Sequence, residues 1–291
     1  MKQRDIWVLL LLCSLVFSSF AGCKGREGEK PLPKGGKTSS VSVPSPPGYN
    51  LAAPVKFVLS DRLQGISGIC FLRSDPDTMY AIEDETGKLY YFHLGNGRFP
   101  FRHFGGRGDY EDVTILGDKE FVVLRSDGSL FVFPVSIARD GSKTAVRSYE
   151  HILPAGKYEG IFGDEDGRLI ALCKNCAIDD QQKEVSGYVL GYGAGHTLAI
   201  RDHFKVEVAM DKFHPSCLAR HPKTKEWYLI SSVNKILFVL DDQWKVKRDY
   251  RLDPILFKQP EGLAFDSAGN MYISNEGGQG RPNVLVFAYK Q

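Results

Sequence analysis

Short apolar runs separated by polar turns recur from about Leu51 to the end of this chain. Many alternate, as in Lys88-Leu89-Tyr90-Tyr91-Phe92, and two-residue turns such as Asp127-Gly128 and Val233-Asn234 join successive runs. Period-two alternation with tight turns predicts antiparallel strands in hairpins. No segment of the folded part carries the 3.6-residue period of a long amphipathic helix. Five of the strands open alike, with a polar residue, a small one, then apolar ones. They are ISGICFL (66–72), YEDVTIL (110–116), YEGIFGD (158–164), PSCLARH (215–221) and PEGLAFD (260–266). Aligned on Gly68, Asp112, Gly160, Cys217 and Gly262, the copies lie 44, 48, 57 and 45 residues apart. A period of that size built from strands predicts a β-propeller with one four-stranded sheet per repeat.

The last repeat, PEGLAFD, NMYISNE and NVLVFAY, lacks its outer strand, and PVKFVLS (54–60) precedes the first repeat without a sheet of its own. Pairing those two closes the ring and removes the open edges. The predicted fold is therefore all-β: a five-bladed β-propeller over 51–291, closed by an N-terminal strand in the last blade. The third repeat is irregular. The polar stretch AIDDQQKEVSG predicts a long hairpin loop, and its outer strand is expected at TLAIRDH or FKVEVAM.

The chain starts differently. Lys2 and Arg4 precede the apolar run Ile6–Phe20, and the small pair Ala21-Gly22 then precedes Cys23. A basic start, a short apolar run and small residues at a cut describe an export signal rather than a spanning helix. FAGC resembles the bacterial lipobox, although Phe20 stands where that pattern prefers Leu. The resemblance implies a lipoprotein signal peptide over 1–22 and acyl chains, palmitate among them, on Cys23. Residues 23–50 are rich in Gly, Pro, Ser and Lys, a composition that predicts a disordered tether. The expected location is the bacterial cell envelope, with the domain outside the cytoplasm and held to a membrane by lipid. The net charge of +2 and the lack of a basic stripe argue against nucleic acid as a partner. A monomer is expected.

Laid out in order, SGI with MYAIEDETGKLYYF, DYEDVTIL with FVVLRSDGSLFVF, YEGI, PSCLA with WYLISS, and PEGLAFDSAGNMYISNE resemble the SdiA-regulated (YjiK-like) propeller family. The resemblance implies a five-bladed propeller with a bound calcium ion and no established catalytic activity.

The chemistry is carried by the position that starts each inner strand: Ser67, Glu111, Glu159, Ser216 and Glu261. Inner strands surround one axis, so Glu111, Glu159 and Glu261 are expected to converge at a channel mouth. Three carboxylates there repel and lose hydration, so they share protons, hold a cation or turn away. Calcium suits an all-oxygen set completed by Ser67, Ser216, carbonyls and water. The alternative is that each Glu accepts backbone amides. A second polar ring is expected at the ends of the second strands, from Glu83, Asp84, Arg125, Lys174, Ser231, Ser232, Asn275 and Glu276. Arg125 is singled out as the cation that could pair with the carboxylates. Cys173 and Cys176 form a C-x-x-C with no following His and no second pair, which reads as a local disulfide or two nearby thiols. Cys70 and Cys217 read as buried apolar residues. No catalytic triad emerges around His214 and Ser216. The expected function is an envelope-anchored binding module for a protein or glycan. A calcium-dependent phosphoester hydrolase resembling phytase-like propellers is the alternative.

Overall fold

The structure is a computed structural model that describes residues 43–140, 145–179, 184–210 and 212–290. Strand β1 (Val55–Val58) comes first in the chain and belongs to the last sheet. Blade 1 is β2 (Ile66–Leu72), β3 (Asp75–Glu83), β4 (Lys88–Phe92) and β5 (Phe101–His103). Blade 2 is β6 (Tyr110–Leu116), β7 (Glu120–Arg125), β8 (Leu130–Pro134) and β9 (Arg147–Tyr149), with a one-turn helix α1 (Ser136–Asp140) before β9. Blade 3 is β10 (Gly156–Gly163), β11 (Arg168–Cys176), β12 (Glu184–Gly193) and β13 (Thr197–Glu207). Blade 4 is β14 (Cys217–Arg220), β15 (Trp227–Ser231), β16 (Ile236–Leu240) and β17 (Val246–Arg251). Blade 5 is β18 (Pro260–Phe265), β19 (Met271–Asn275) and β20 (Asn283–Phe287), with β1 as its outer strand.

Each blade is one antiparallel sheet of four strands, and Val55 faces Val286 where the ring closes. The predicted five-bladed propeller and its closing strand are both present. In blade 3 the single strand β13 spans TLAIRDH and the first four residues of FKVEVAM, the two segments proposed for the outer position. No helix among the described residues is long and apolar enough to cross a membrane.

The core is divided. Five apolar clusters fill the five gaps between adjacent blades, because the side chains of each strand alternate between its two neighbours. Tyr80 and Ile82 of blade 1 pack with Val113, Phe121 and Val123 of blade 2. Ile66, Ile69 and Tyr90 pack with Ala264 and Val284, sealing blade 5 to blade 1. Every blade is thus buried on both faces, which explains runs such as Ile236–Leu240 with no polar residue.

The domain begins earlier than its composition suggests. Tyr49 packs against the rings of His221, Tyr228, Phe265 and Tyr289, and its hydroxyl donates to the Gly269 carbonyl at 2.5 Å. Lys290 N donates to the Gly48 carbonyl. One aromatic in a Pro- and Ser-rich stretch anchors residues that read as tether. Cys23, the 1–22 signal segment and residues 24–42 lie outside the described residues.

Candidate functional site

The three glutamates are β-bulge residues. In the β6–β7 ladder Tyr110 faces Arg125 and Asp112 faces Leu124, so Glu111 is the extra residue. Glu159 is extra between Tyr158 and Gly160, and Glu261 between Pro260 and Gly262. Blade 1 has the same irregularity between Ile66 and Ile69, where Ser67 stands. A bulge turns a side chain out of the regular alternation and increases the local twist. Here it turns the glutamates away from the blade faces and toward the axis.

The small residue that follows is required by the approach of neighbouring inner strands. A Cβ on Gly68 would lie 2.3 Å from Asp112 Oδ1 and 2.4 Å from Val113 N. A Cβ on Gly262 would lie 2.5 Å from the Ser67 carbonyl. Blade 2 places Asp112 at this position instead. Its carboxyl is buried, accepts Val113 N at 2.8 Å and Ile161 N at 2.9 Å, and so bonds blade 2 to blade 3. Burial raises its pKa well above the ordinary range. In the sequence Asp112 stands only as the counterpart of the small residues Gly68, Gly160, Cys217 and Gly262, and nothing there signals its bonds to the next blade.

At the mouth Glu159 is buried, and Lys174 Nζ lies 2.5 Å from its Oε1. Glu111 also acts on the Glu159 carboxyl, and its influence lowers the Glu159 pKa. Burial, then the charge of Glu159, pushes Glu111 up to about 9. Glu261 rises to about 7 through burial and Glu159, against hydrogen bonds from the Ser232 and Ser216 side chains. Glu276 rises to about 7 through burial, then Glu261 and Asp84. Glu159 is itself raised, because burial outweighs its ion pair. Burial alone would lower the Lys174 ammonium, but Glu159, Glu111 and Glu261 raise it. The carboxylates thus form one electrostatic unit with Lys174 among them. They do not close into a cage: the ligating oxygens of Glu111, Glu159 and Glu261 do not all lie within 4.8 Å of one another.

The expected second ring divides into two registers, and only in blade 3 does a residue outside it, Cys173, stand level with Glu83, Arg125 and Asn275. The ladders place Glu83, Arg125, Cys173 and Asn275 at equivalent positions, opposite Ile66, Tyr110, Tyr158 and Pro260. Three of these secure the hairpins of their own blades. Glu83 accepts the amides of Glu85 and Thr86 and the Thr86 hydroxyl. Arg125 binds Asp127, Ser129 and Glu150 and lies over the Phe131 ring. Asn275 donates to Asn283 Oδ1 at 3.2 Å. The next residue in each strand end behaves differently, because one step reverses the face. Lys174 reaches Glu159, Ser232 and Glu276 interact with Glu261, and Asp84 feels Glu83 and Asp109. Lys174, not Arg125, is the cation of the site. Ser216 Oγ accepts Ser232 N at 3.0 Å, whereas Ser67 turns its hydroxyl to the Gly65 carbonyl.

Cys173 and Cys176 are joined in a disulfide, and Cys70 and Cys217 are free and buried. At the opposite mouth a cavity of about 580 Å³ is lined by Arg73, Asp118, Asp164, Arg220, His221 and Asp266. The turn Asp164–Arg168 is a hairpin turn, with Asp164 accepting the amides of Asp166 and Arg168.

The family model described as SdiA-regulated matches residues 46–286. The chain belongs to the SdiA-regulated family. No curated protein matches it. Among solved structures, this family member is similar to the calcium-binding protein regucalcin from Agrobacterium tumefaciens, at 15% identity over 77% of this chain and 72% of that one, with a TM-score of 0.45. Virginiamycin B lyase from Staphylococcus aureus is 11% identical over 77% and 68%, with a TM-score of 0.43. The WD40 β-propeller domain of Doa1 is 10% identical over 82% and 97%, with a TM-score of 0.46. Likenesses at this level assign no activity to the SdiA-regulated chain.

Proposed function

We propose that this SdiA-regulated protein is a binding module, not an enzyme, whose channel mouth takes a divalent cation, calcium by preference. The supporting observation is that Glu111, Glu159 and Glu261 are bulged onto one axis, where burial raises all three carboxyls and the charge of Glu159 raises the other two further. Such a site is short of positive charge, because among the described residues only Lys174 pairs directly with one of the three glutamates. The donors are all oxygen: these three glutamates, Glu276, Ser216 and Ser232. That chemistry fits a hard ion, and the open spacing of the carboxylates leaves room for water among the ligands. The cation would neutralise the mouth and brace blades 2, 3 and 5 against one another. Its rim would then bind an envelope protein or glycan.

Phosphoester hydrolysis has less support. It needs cations to hold phosphate, and Arg125 is occupied within blade 2. Attachment through an acylated Cys23 remains part of the proposal and places the domain in the cell envelope. Cys23→Ser should abolish partition of the mature protein into detergent, and unchanged partition would exclude the anchor.

The cation is tested by melting the purified protein with chelator and with calcium. A ligand of the folded state alone raises stability by RT ln(1 + [L]/Kd), about 2.7 kcal/mol at a hundredfold excess over Kd. An unmoved midpoint, with no co-purifying metal, would leave the glutamates as structural groups.

A further inference from the structure

Blade 3 carries a disulfide, and it brackets Lys174, the lysine paired with a glutamate of the acidic mouth. In the β10–β11 ladder Lys157 faces Asn175 and Tyr158 faces Cys173, so Lys174 has no ladder partner on β10. One step further Glu159 has none on β11. Two bulges on paired strands therefore push a lysine and a glutamate toward the same space, where Nζ and Oε1 meet at 2.5 Å. The half-cystines stand on either side of that lysine bulge, and both are buried. Their sulfurs pack where Gly156 leaves room: a Cβ there would lie 2.6 Å from Cys176 Sγ and 3.0 Å from Cys173 Sγ. A ring nitrogen of His214 lies 3.3 Å from the Lys174 carbonyl and holds the same turn from blade 4.

We propose that the Cys173–Cys176 bond is a staple that holds Lys174 as a built-in counter-ion on Glu159, and so sets how tightly the mouth takes a divalent cation. The second half rests on the cation reading given above. A lysine side chain left to itself loses considerable rotamer freedom when it is fixed at one carboxylate. A cross-linked bulge orders its backbone beforehand, so only the side-chain part of the cost is left when the pair forms. A lysine held there occupies an oxygen the ion needs and cancels part of the charge that attracts it. Opening the staple lets the lysine leave and strengthens the ion's hold. A small dithiol opens it by exchange: the S–S bond breaks, Cys173 and Cys176 become thiols with two protons and two electrons from the reductant, and the reductant becomes its own disulfide.

The experiment uses full-length protein in detergent, oxidised and reduced with dithiothreitol, beside C173S/C176S and K174M. Two quantities are measured: the calcium Kd by calorimetry, and the rate at which an amine-acylating reagent labels Lys174, by mass spectrometry. Reduction and the double serine variant should lower Kd by about tenfold, a modest share of the effect of a unit charge at contact distance. K174M should lower it as much and no longer respond to the dithiol. Labelling of Lys174 should be slow in the oxidised protein and faster in the reduced one. A merely structural disulfide would lower the melting temperature and leave both readouts still. Equal Kd values in the two redox states, or a K174M protein that still responds, would overturn control of affinity. Unchanged Lys174 labelling would overturn the staple. Absence of calcium binding in every state would instead sink the cation reading, and faster labelling on reduction would then still support the staple.

Discussion

Gly68 and Gly160 stand at the same step of their blades but have different amounts of space. A Cβ on Gly68 meets backbone and a buried carboxylate within 2.4 Å, whereas one on Gly160 meets Leu218 N at 3.2 Å. Gly68→Ala should therefore cost about 3 kcal/mol or more, since overpacking against fixed backbone cannot relax, and Gly160→Ala about 1 kcal/mol. Denaturant midpoints of the two variants check the order. Among the glutamates, Glu159 is paired with Lys174, so Glu159→Gln leaves a half-buried ammonium without its partner. Glu111→Gln removes a carboxyl that has no such ion pair, and should raise the melting temperature of the metal-free protein. It should also weaken calcium-dependent stabilisation, which a chelator-against-calcium melt reads directly. The three glutamates were legible in the sequence because repeats aligned on a small residue superpose whatever precedes it. Lys174 as their partner was not. Choosing it over Arg125 depends on an extra bulge in β11, and a bulge leaves no mark in a single strand's pattern of apolar residues.

Strand β1 supplies four residues and one whole edge. Without it the backbone of β20 faces water along Asn283–Val286. A chain starting at residue 61 should aggregate or lose cooperative unfolding, read by size-exclusion chromatography and urea melts. A chain starting at residue 43 should stay monomeric without detergent and unfold as cooperatively as the full protein does in detergent. The closing strand was readable because the last repeat is one strand short and the first is preceded by one too many. The extent of β13 was less readable, since Thr197–Glu207 is largely exposed and its apolar pattern is interrupted by Arg201, Asp202 and His203. The docking of Tyr49 was hidden for the opposite reason: a lone aromatic in a polar stretch has no periodicity to mark it.

At the scale of the whole molecule, the mouth links stability to pH. Glu111 sits at about 9 when folded, against 4.5 for an ordinary glutamate. A carboxyl raised by folding binds its proton more tightly in the folded state. Its contribution is full below about 4.5 and is lost as pH rises through about 9. Glu261 and Glu276 lose theirs through about 7. The metal-free protein should thus melt at lower temperature at pH 9 than at pH 6, and calcium should flatten that dependence. Melting curves across this range, with and without chelator, measure both. The closing pair Val55–Val286 carries a consequence for the order of folding. Among the described strands, the first in the chain is the partner of the last. Until β20 docks, β1 is an unpaired edge that waits through four blades, and the ring cannot shut by degrees. Chaperone capture of the urea-unfolded chain should therefore end only when β1 and β20 pair, and a chain lacking β20 should stay captured.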